Sequence, residues 1–227
     1  MLTPFGQNLY IANGPTVSFH GFPYPTRMAV VRLSSGQAWV WSPIELTEAL
    51  ADAVQAVGPV AYIVSPNKLH FLALSAWKRR WPDARLFAPP GLAHKMRALH
   101  FDAELGDVAD PHWLNEIDQV VFRGSIAMQE VVFFHRASGT AIFGDLIQRF
   151  PESQALGWKG AVLRLGGLVG AHGSTPREWR LSFVSREAAR AARQTVLDWN
   201  PRQLLIAHGD CVSSGAKPVI AQALRWI

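Results

Sequence analysis

The chain has 227 residues, enough to bury a sizeable core, with 49% hydrophobic and 17% charged residues. No unbroken apolar stretch reaches the ~20 residues a membrane helix needs, which excludes a spanning helix. Lys and Arg (22) exceed Asp and Glu (17). Yet Lys78-Arg79-Arg80 reads as the solvated end of one helix, and Arg186, Arg190 and Arg193 as the polar face of another, so nucleic acid is not an expected partner.

In chain order, residues 9–12 and 27–33 are apolar enough for strands, separated by a Gly/Pro/aromatic loop over 13–26. Residues 37–41 follow a turn at Ser34-Ser35-Gly36. Thr47 is suited to cap a helix over 48–57, with Ala49, Leu50, Ala53, Val54 and Val57 as its apolar stripe and Gly58-Pro59 as its stop. The run VAYIV at 60–64 is short, β-branched and unbroken, the pattern of a strand covered on both faces. Pro66 prevents simple continuation, and a helix is expected from near Lys68 to Arg80 with His70 in its first turn.

ARLFAPP predicts another strand, residues 91–100 a helix, and residues 101–113 an exposed acidic loop. Strands are expected at 120–122, 130–135 and 140–143, then a loose, glycine-rich, partly helical excursion to about residue 180. Residues 185–199 carry the strongest helical pattern, with Ser185 as cap and Glu187 in the first turn. QLLIA at 203–207 predicts a buried strand, and residues 218–227 a closing helix. Strands alternating with helices predict a layered α/β (α+β) fold with helices outside the sheets, spanning 1–227 as one domain.

Three positions stand out. The segment FFHRASGTAIFGD delivers a lone carboxylate, Asp145, after an apolar run, which is how a buried strand presents a reactive group at its carboxyl end. His70 follows the strand-like AYIVSPNKL, and His208 follows LLIA. These three are expected to define the site. One cysteine, Cys211, excludes an intrachain disulfide and cysteine-rich zinc sites. It reads either as a reactive thiol near His208 or as a small packing residue. The N-terminus has neither a basic opening nor an apolar core, so no signal peptide is expected and the location expected is cytoplasmic.

The segments PN…H, EVVFFHR.S.T…D and AHGD resemble the metallo-β-lactamase superfamily, within it a branch described only as a domain of unknown function. The resemblance implies a four-layer αββα sandwich and a metal-dependent hydrolase-like activity. In that family a His-x-His-x-Asp-His motif, a middle histidine, a Gly-Asp strand end and a His-Gly strand end hold two metals, with the aspartate bridging them. Here the motif falls on Ser65-Pro66-Asn67-Lys68-Leu69-His70, and only His70 survives. Gly144-Asp145 matches the bridging aspartate and His208-Gly209 the last histidine, while the middle position, near Ser125, holds no histidine.

The resemblance therefore implies at most one metal. His70, Asp145 and His208 would hold it and carry the catalysis, and two imidazoles with a carboxylate suit zinc or non-haem iron. Metal-activated water would then attack an ester, thioester, amide or phosphoester. The alternative is a metal-free, inactive member that binds a small ligand or protein partner in the same cleft. Asn67, His135 and Arg136 are candidate substrate contacts. Arg136 would offer a guanidinium to a carboxylate or phosphate at the site mouth, or else simply build the hairpin turn with Ser138 while His135 bonds backbone. A homo-oligomer is compatible with the sequence. His20, His94, His100 and His112 lack motif context, and His172 lies in a glycine-rich stretch at the expected rim.

Overall fold

A computed structural model describes residues 1–19 and 22–227. Its first sheet runs in sequence order through β1 (Thr3–Gly6), β2 (Leu9–Phe19), β3 (Phe22–Arg32), β4 (Ala38–Trp41), β5 (Val60–Val64), β6 (Arg85–Ala88) and β7 (Ala103–Glu104). The second holds β8 (Ile117–Phe122), β9 (Glu130–His135), β10 (Thr140–Phe143) and β11 (Gln203–Ile206), in the order β11-β10-β9-β8. Hairpins make β1 to β4 antiparallel, whereas β4, β5, β6 and β7 are mutually parallel, as are β10 and β11.

Side-chain alternation along the strands builds three apolar layers. Trp39 and Trp41 of β4 face the second sheet, meeting Phe87, Trp113, Phe133 and Leu205, while Val40 between them faces outward. That outer face is covered by α1 (Glu48–Val57) and α2 (Leu74–Arg80), through Leu50, Val54, Leu74 and Trp77. Phe134 and Phe143 turn the other way, toward Ala189, Val196 and Ile220. Those residues sit on α6 (Glu187–Asp198) and α7 (Ala216–Ala223). Helix, sheet, sheet, helix is the expected αββα order. Between β6 and β7 lies the one-turn α3 (Leu92–Lys95), and between β10 and α6 lie α4 (Gly157–Leu165) and α5 (Arg177–Leu181).

Several local expectations are corrected. Most of the expected loop at 13–26 is extended: β2 and β3 pair across it, with a register shift between Asn13 and Thr16 that absorbs Gly14-Pro15. His20 lies outside the described residues. The helix expected from Lys68 begins only at Leu74, so His70 sits in a turn. Hydrogen bonds from Ser65 Oγ to the carbonyls of Asn67 and His70 hold that segment in its own turn geometry. Residues 91–100 keep a single helical turn. The acidic segment 101–113 contains β7 and buries Leu105, Ala109 and Trp113 between the sheets. The last helix begins at Ala216. Arg186, not Ser185, precedes α6, with no side-chain cap bond. Thr47 does cap α1, its Oγ1 accepting from Leu50 N at 3.2 Å. Among the described residues, no helix is long and apolar enough to cross a membrane.

Candidate metal centre

Parallel strands end on one edge of the sandwich, and the three expected residues leave from those ends. β10 runs into Gly144-Asp145, its parallel partner β11 into Ala207-His208, and β5 into the turn that carries His70. The structure brings them together: one ligand atom from each of His70, Asp145 and His208 lies within 4.8 Å of the others. His70 Nε2 stands 3.2 Å from Asp145 Oδ2, and His208 Nε2 stands 3.0 Å from Asp145 Oδ1. The three side chains keep only 8–10% of their exposure.

Each imidazole is oriented from behind. His208 Nδ1 donates to the Pro25 carbonyl at 2.7 Å, which turns Nε2 toward Asp145. His70 Nδ1 lies 2.6 Å from Ser42 Oγ at the end of β4. Arg27 of β3 secures the last turn by donating to the carbonyls of Ile206 (2.6 Å) and Gly209 (2.8 Å) and to Cys211 Sγ (3.2 Å). That contact and its burial make Cys211 a packed residue of the turn, with burial pushing its thiol up against the opposing pull of Arg27. Gly209 has φ +97°, and a Cβ there would lie 2.0 Å from the Arg149 carbonyl, so only glycine follows His208 without strain.

Asp145 is held by a residue outside the expected set, Glu130. Its side chain is fully buried and accepts from Gly144 N (2.9 Å), Asp145 N (2.7 Å), Leu146 N (3.2 Å) and Asn67 Nδ2 (2.8 Å). Gly144 lets that carboxylate approach, since a Cβ would meet Glu130 Oε2 at 2.9 Å. Asn67 also donates to Asp145 Oδ2 at 2.9 Å, while its Oδ1 accepts from Leu69 N. Burial, then the charge on Asp145, raise the Glu130 carboxyl to about 7, against the pull of its donors. Burial would raise Asp145 too, but the two histidines outweigh it and hold its carboxyl well below the usual range. Burial disfavours the His208 cation, and the hydrogen bond and charge of Asp145 overcome that and raise its pKa.

Asn67, where the resemblance expects a motif histidine, turns its amide onto Asp145 Oδ2, and Glu130 holds the amide there. Ser65 spends its hydroxyl on backbone, Leu69 packs into the core under α6, and Ser125 bonds Ser182 Oγ at 2.7 Å. Two imidazole nitrogens and a carboxylate remain, a donor set that fits one ion.

The structure does not bring His135 or Arg136 to this place. His135 pairs with Thr140 at the start of β10, and Asp145 lies beyond its far end, roughly 16 Å away at ~3.3 Å per residue. His135 is buried with Nδ1 2.8 Å from Ser138 Oγ, and Arg136 forms an ion pair with Asp118. Both stand at the hairpin end, as the second of the two readings has it, but the His135 ring bonds the Ser138 hydroxyl rather than backbone. His172 is exposed in the excursion. Glu130 and Ser42 were missed by the sequence reading. The one signal for Glu130 is an acid opening an otherwise apolar strand, EVVFFH; Ser42 merely follows AWVW.

Structural neighbours agree with the layer order. A metallo-β-lactamase from Pontibacter korlensis matches with TM-score 0.68 at 14% identity, covering 100% of this chain and 97% of its own. The metallo-β-lactamase FIM-1 from Pseudomonas aeruginosa, in a mono-zinc form, matches with TM-score 0.63 at 13% identity, covering 98% and 93%. One from Hirschia baltica gives 0.65 at 11%, covering 98% and 95%. At such identities the likeness speaks for the fold alone. No curated protein sequence matches the chain. A family profile does match, over residues 18–157, more than half the length. The chain belongs to the family described as "Domain of unknown function (DUF4336)", carried on a metallo-β-lactamase fold.

Proposed function

We propose that the cluster binds one divalent ion, zinc or iron, through His70 Nε2, Asp145 and His208 Nε2, and that the protein is a mononuclear metal-dependent hydrolase. The observation that carries this is the orientation of both rings: each Nδ1 is engaged, by Ser42 and by the Pro25 carbonyl, so both Nε2 atoms converge on one carboxylate. Hydrogen-bonded partners behind the ligands are the usual company of metal-binding histidines. That a protein of this fold is described in a mono-zinc form shows the fold to be compatible with a single ion.

An ion in such a set supplies Lewis acidity toward a carbonyl or phosphoryl oxygen and acidifies water at its open position. The protein's own part is positioning. Glu130 and Asn67 fix the rotamer of Asp145, Ser42 and Pro25 fix the rings, and burial keeps the surroundings of low polarity, where charge interactions are strongest. Asp145 would serve a single ion as a terminal ligand, while its Oδ2 also accepts from the Asn67 amide.

The test is elemental analysis of protein purified without chelator. About one equivalent of zinc, iron or manganese, lost in His208→Ala, is the expected result. A parent protein without stoichiometric metal would leave the metal-free ligand-binding alternative in its place. Unchanged metal content in the variant would refute the ligand assignment.

A further inference from the structure

Away from the candidate metal centre, Leu165, Arg177, Arg180, Leu181, Arg186 and Trp226 line an open cavity of about 380 Å³. It lies where the ends of α4 and α5 meet the start of α6 and the C-terminal segment. Glu178 is the acid that acts on Arg180, and it forms no ion pair with it. Among the described residues, none of Arg177, Arg180, Arg186 and the neighbouring Arg225 forms a salt bridge, whereas Arg123, Arg136 and Arg164 each pair with a carboxylate.

Two of the cavity arginines are held by backbone carbonyls instead. Arg180 Nη2 donates to Gly166 O at 2.7 Å, and Arg186 Nη1 to Trp226 O at 3.1 Å, with the Arg186 guanidinium 5.6 Å from the Trp226 ring centroid. Trp226 is itself anchored by donating Nε1 to Thr175 Oγ1 at 2.9 Å. Arg180 Nε is buried with no hydrogen-bond partner. A buried donor left unpaired is costly, and several cations held together without an ion-pair partner repel one another. Burial and then Arg177 lower the Arg180 pKa, Glu178 opposes them, and Arg225 adds to the lowering. The remaining walls are apolar: Leu165 and Leu181 are 77% and 75% exposed.

Pre-positioned arginines beside an aromatic and an aliphatic wall match an oxyanion carried on an apolar body. We propose that this cavity binds the phosphate group of a phosphomonoester, with Arg177, Arg180 and Arg186 on its oxygens and Leu165, Leu181 and Trp226 against its apolar part. The planar fork of arginine suits phosphate oxygens bidentately, and the volume lies in the range of small-molecule sites. This site stands apart from the metal reading and does not depend on it.

The test is calorimetric titration of the full chain with phenyl phosphate at low salt. Saturable one-to-one binding is expected, tighter than for inorganic phosphate, and weakened about tenfold or more in Arg180→Gln. Arg177→Gln, at an exposed position, should weaken it as well, which separates contact loss from misfolding. Binding should persist in His208→Ala and in Arg79→Gln/Arg80→Gln, which reduces charge elsewhere. Co-sedimentation with phosphatidic acid vesicles but not with phosphatidylcholine vesicles would assign the phosphate to a lipid headgroup; binding of phenyl phosphate alone would assign it to a soluble ester. Absence of saturable binding, binding lost in His208→Ala, or equal weakening by the Arg79/Arg80 variant would each overturn the proposal.

Discussion

Gly144→Ala examines the support of the candidate metal centre without touching His70, Asp145 or His208. Gly144 does not have a positive φ, so alanine is conformationally acceptable there and would by itself gain about 0.4–1 kcal/mol from the stiffer unfolded chain. The obstacle is space. The new methyl would sit 2.9 Å from Glu130 Oε2 and 3.1 Å from Asn67 Nδ2. Both side chains are completely buried and fixed by several hydrogen bonds, so neither can swing away. Overpacking costs about 1–3 kcal/mol. A retreat of Glu130 by a few tenths of an ångström would also weaken its bonds to Gly144 N and Asp145 N, about 1–3 kcal/mol more. Less the unfolded-state gain, the net loss is about 1–5 kcal/mol. Urea denaturation should show a lower midpoint with an unchanged slope. Gly106→Ala is the control: it too lacks a positive φ, and a Cβ there meets nothing within 4 Å, so it should be neutral or slightly stabilising. A Gly144→Ala protein within about 0.5 kcal/mol of the parent would refute the idea that Glu130 is locked beneath the site.

Two further outcomes are expected. Ser42→Ala frees His70 Nδ1 and should lower metal affinity roughly 10–100-fold in a chelator competition while costing only about 1 kcal/mol of stability; unchanged affinity would remove Ser42 from the site. His135 titrates near 4 in the fold, chiefly because burial disfavours its cation against a smaller opposing pull from Glu116, and near 6.5 when unfolded. Between those values the unfolded chain binds more protons, so this contribution is complete above about 6.5 and is lost as pH falls toward 4, up to about 3 kcal/mol. Stability of His135→Gln should therefore decline less than that of the parent between pH of about 7 and about 4.5, and parallel profiles would contradict the assignment.

The elements that could be read from residues alone are those whose burial is a one-dimensional pattern. VAYIV, FFH…TAIF and QLLIA are apolar without interruption because both faces of each strand are covered, and α1 shows its stripe at helical spacing. Their alternation predicts helices outside the sheets, while the four-layer αββα order came from the family resemblance. Segments whose conformation rests on partners distant in sequence were misjudged. The Gly/Pro-rich 13–26 stretch is extended because β3 offers it a ladder, and 67–73 stays a turn because Ser65 caps its carbonyls.

The metal centre divides the same way. His70, Asp145 and His208 can be found in the sequence because each follows a strand, and chain direction then carries all three to the carboxyl edge of the sheets. Their completion could not be. The Pro25 carbonyl lies 183 positions from His208, and Glu130 meets Asn67 across 63. No local pattern marks a buried glutamate as the acceptor for three successive backbone N–H groups, or an asparagine as the donor that joins it to Asp145. Sequence settled which side chains stand at strand ends; only the closing of one sheet over the other decided what they touch, because a hydrogen bond depends on a few tenths of an ångström between chain segments that the backbone brings together from far apart.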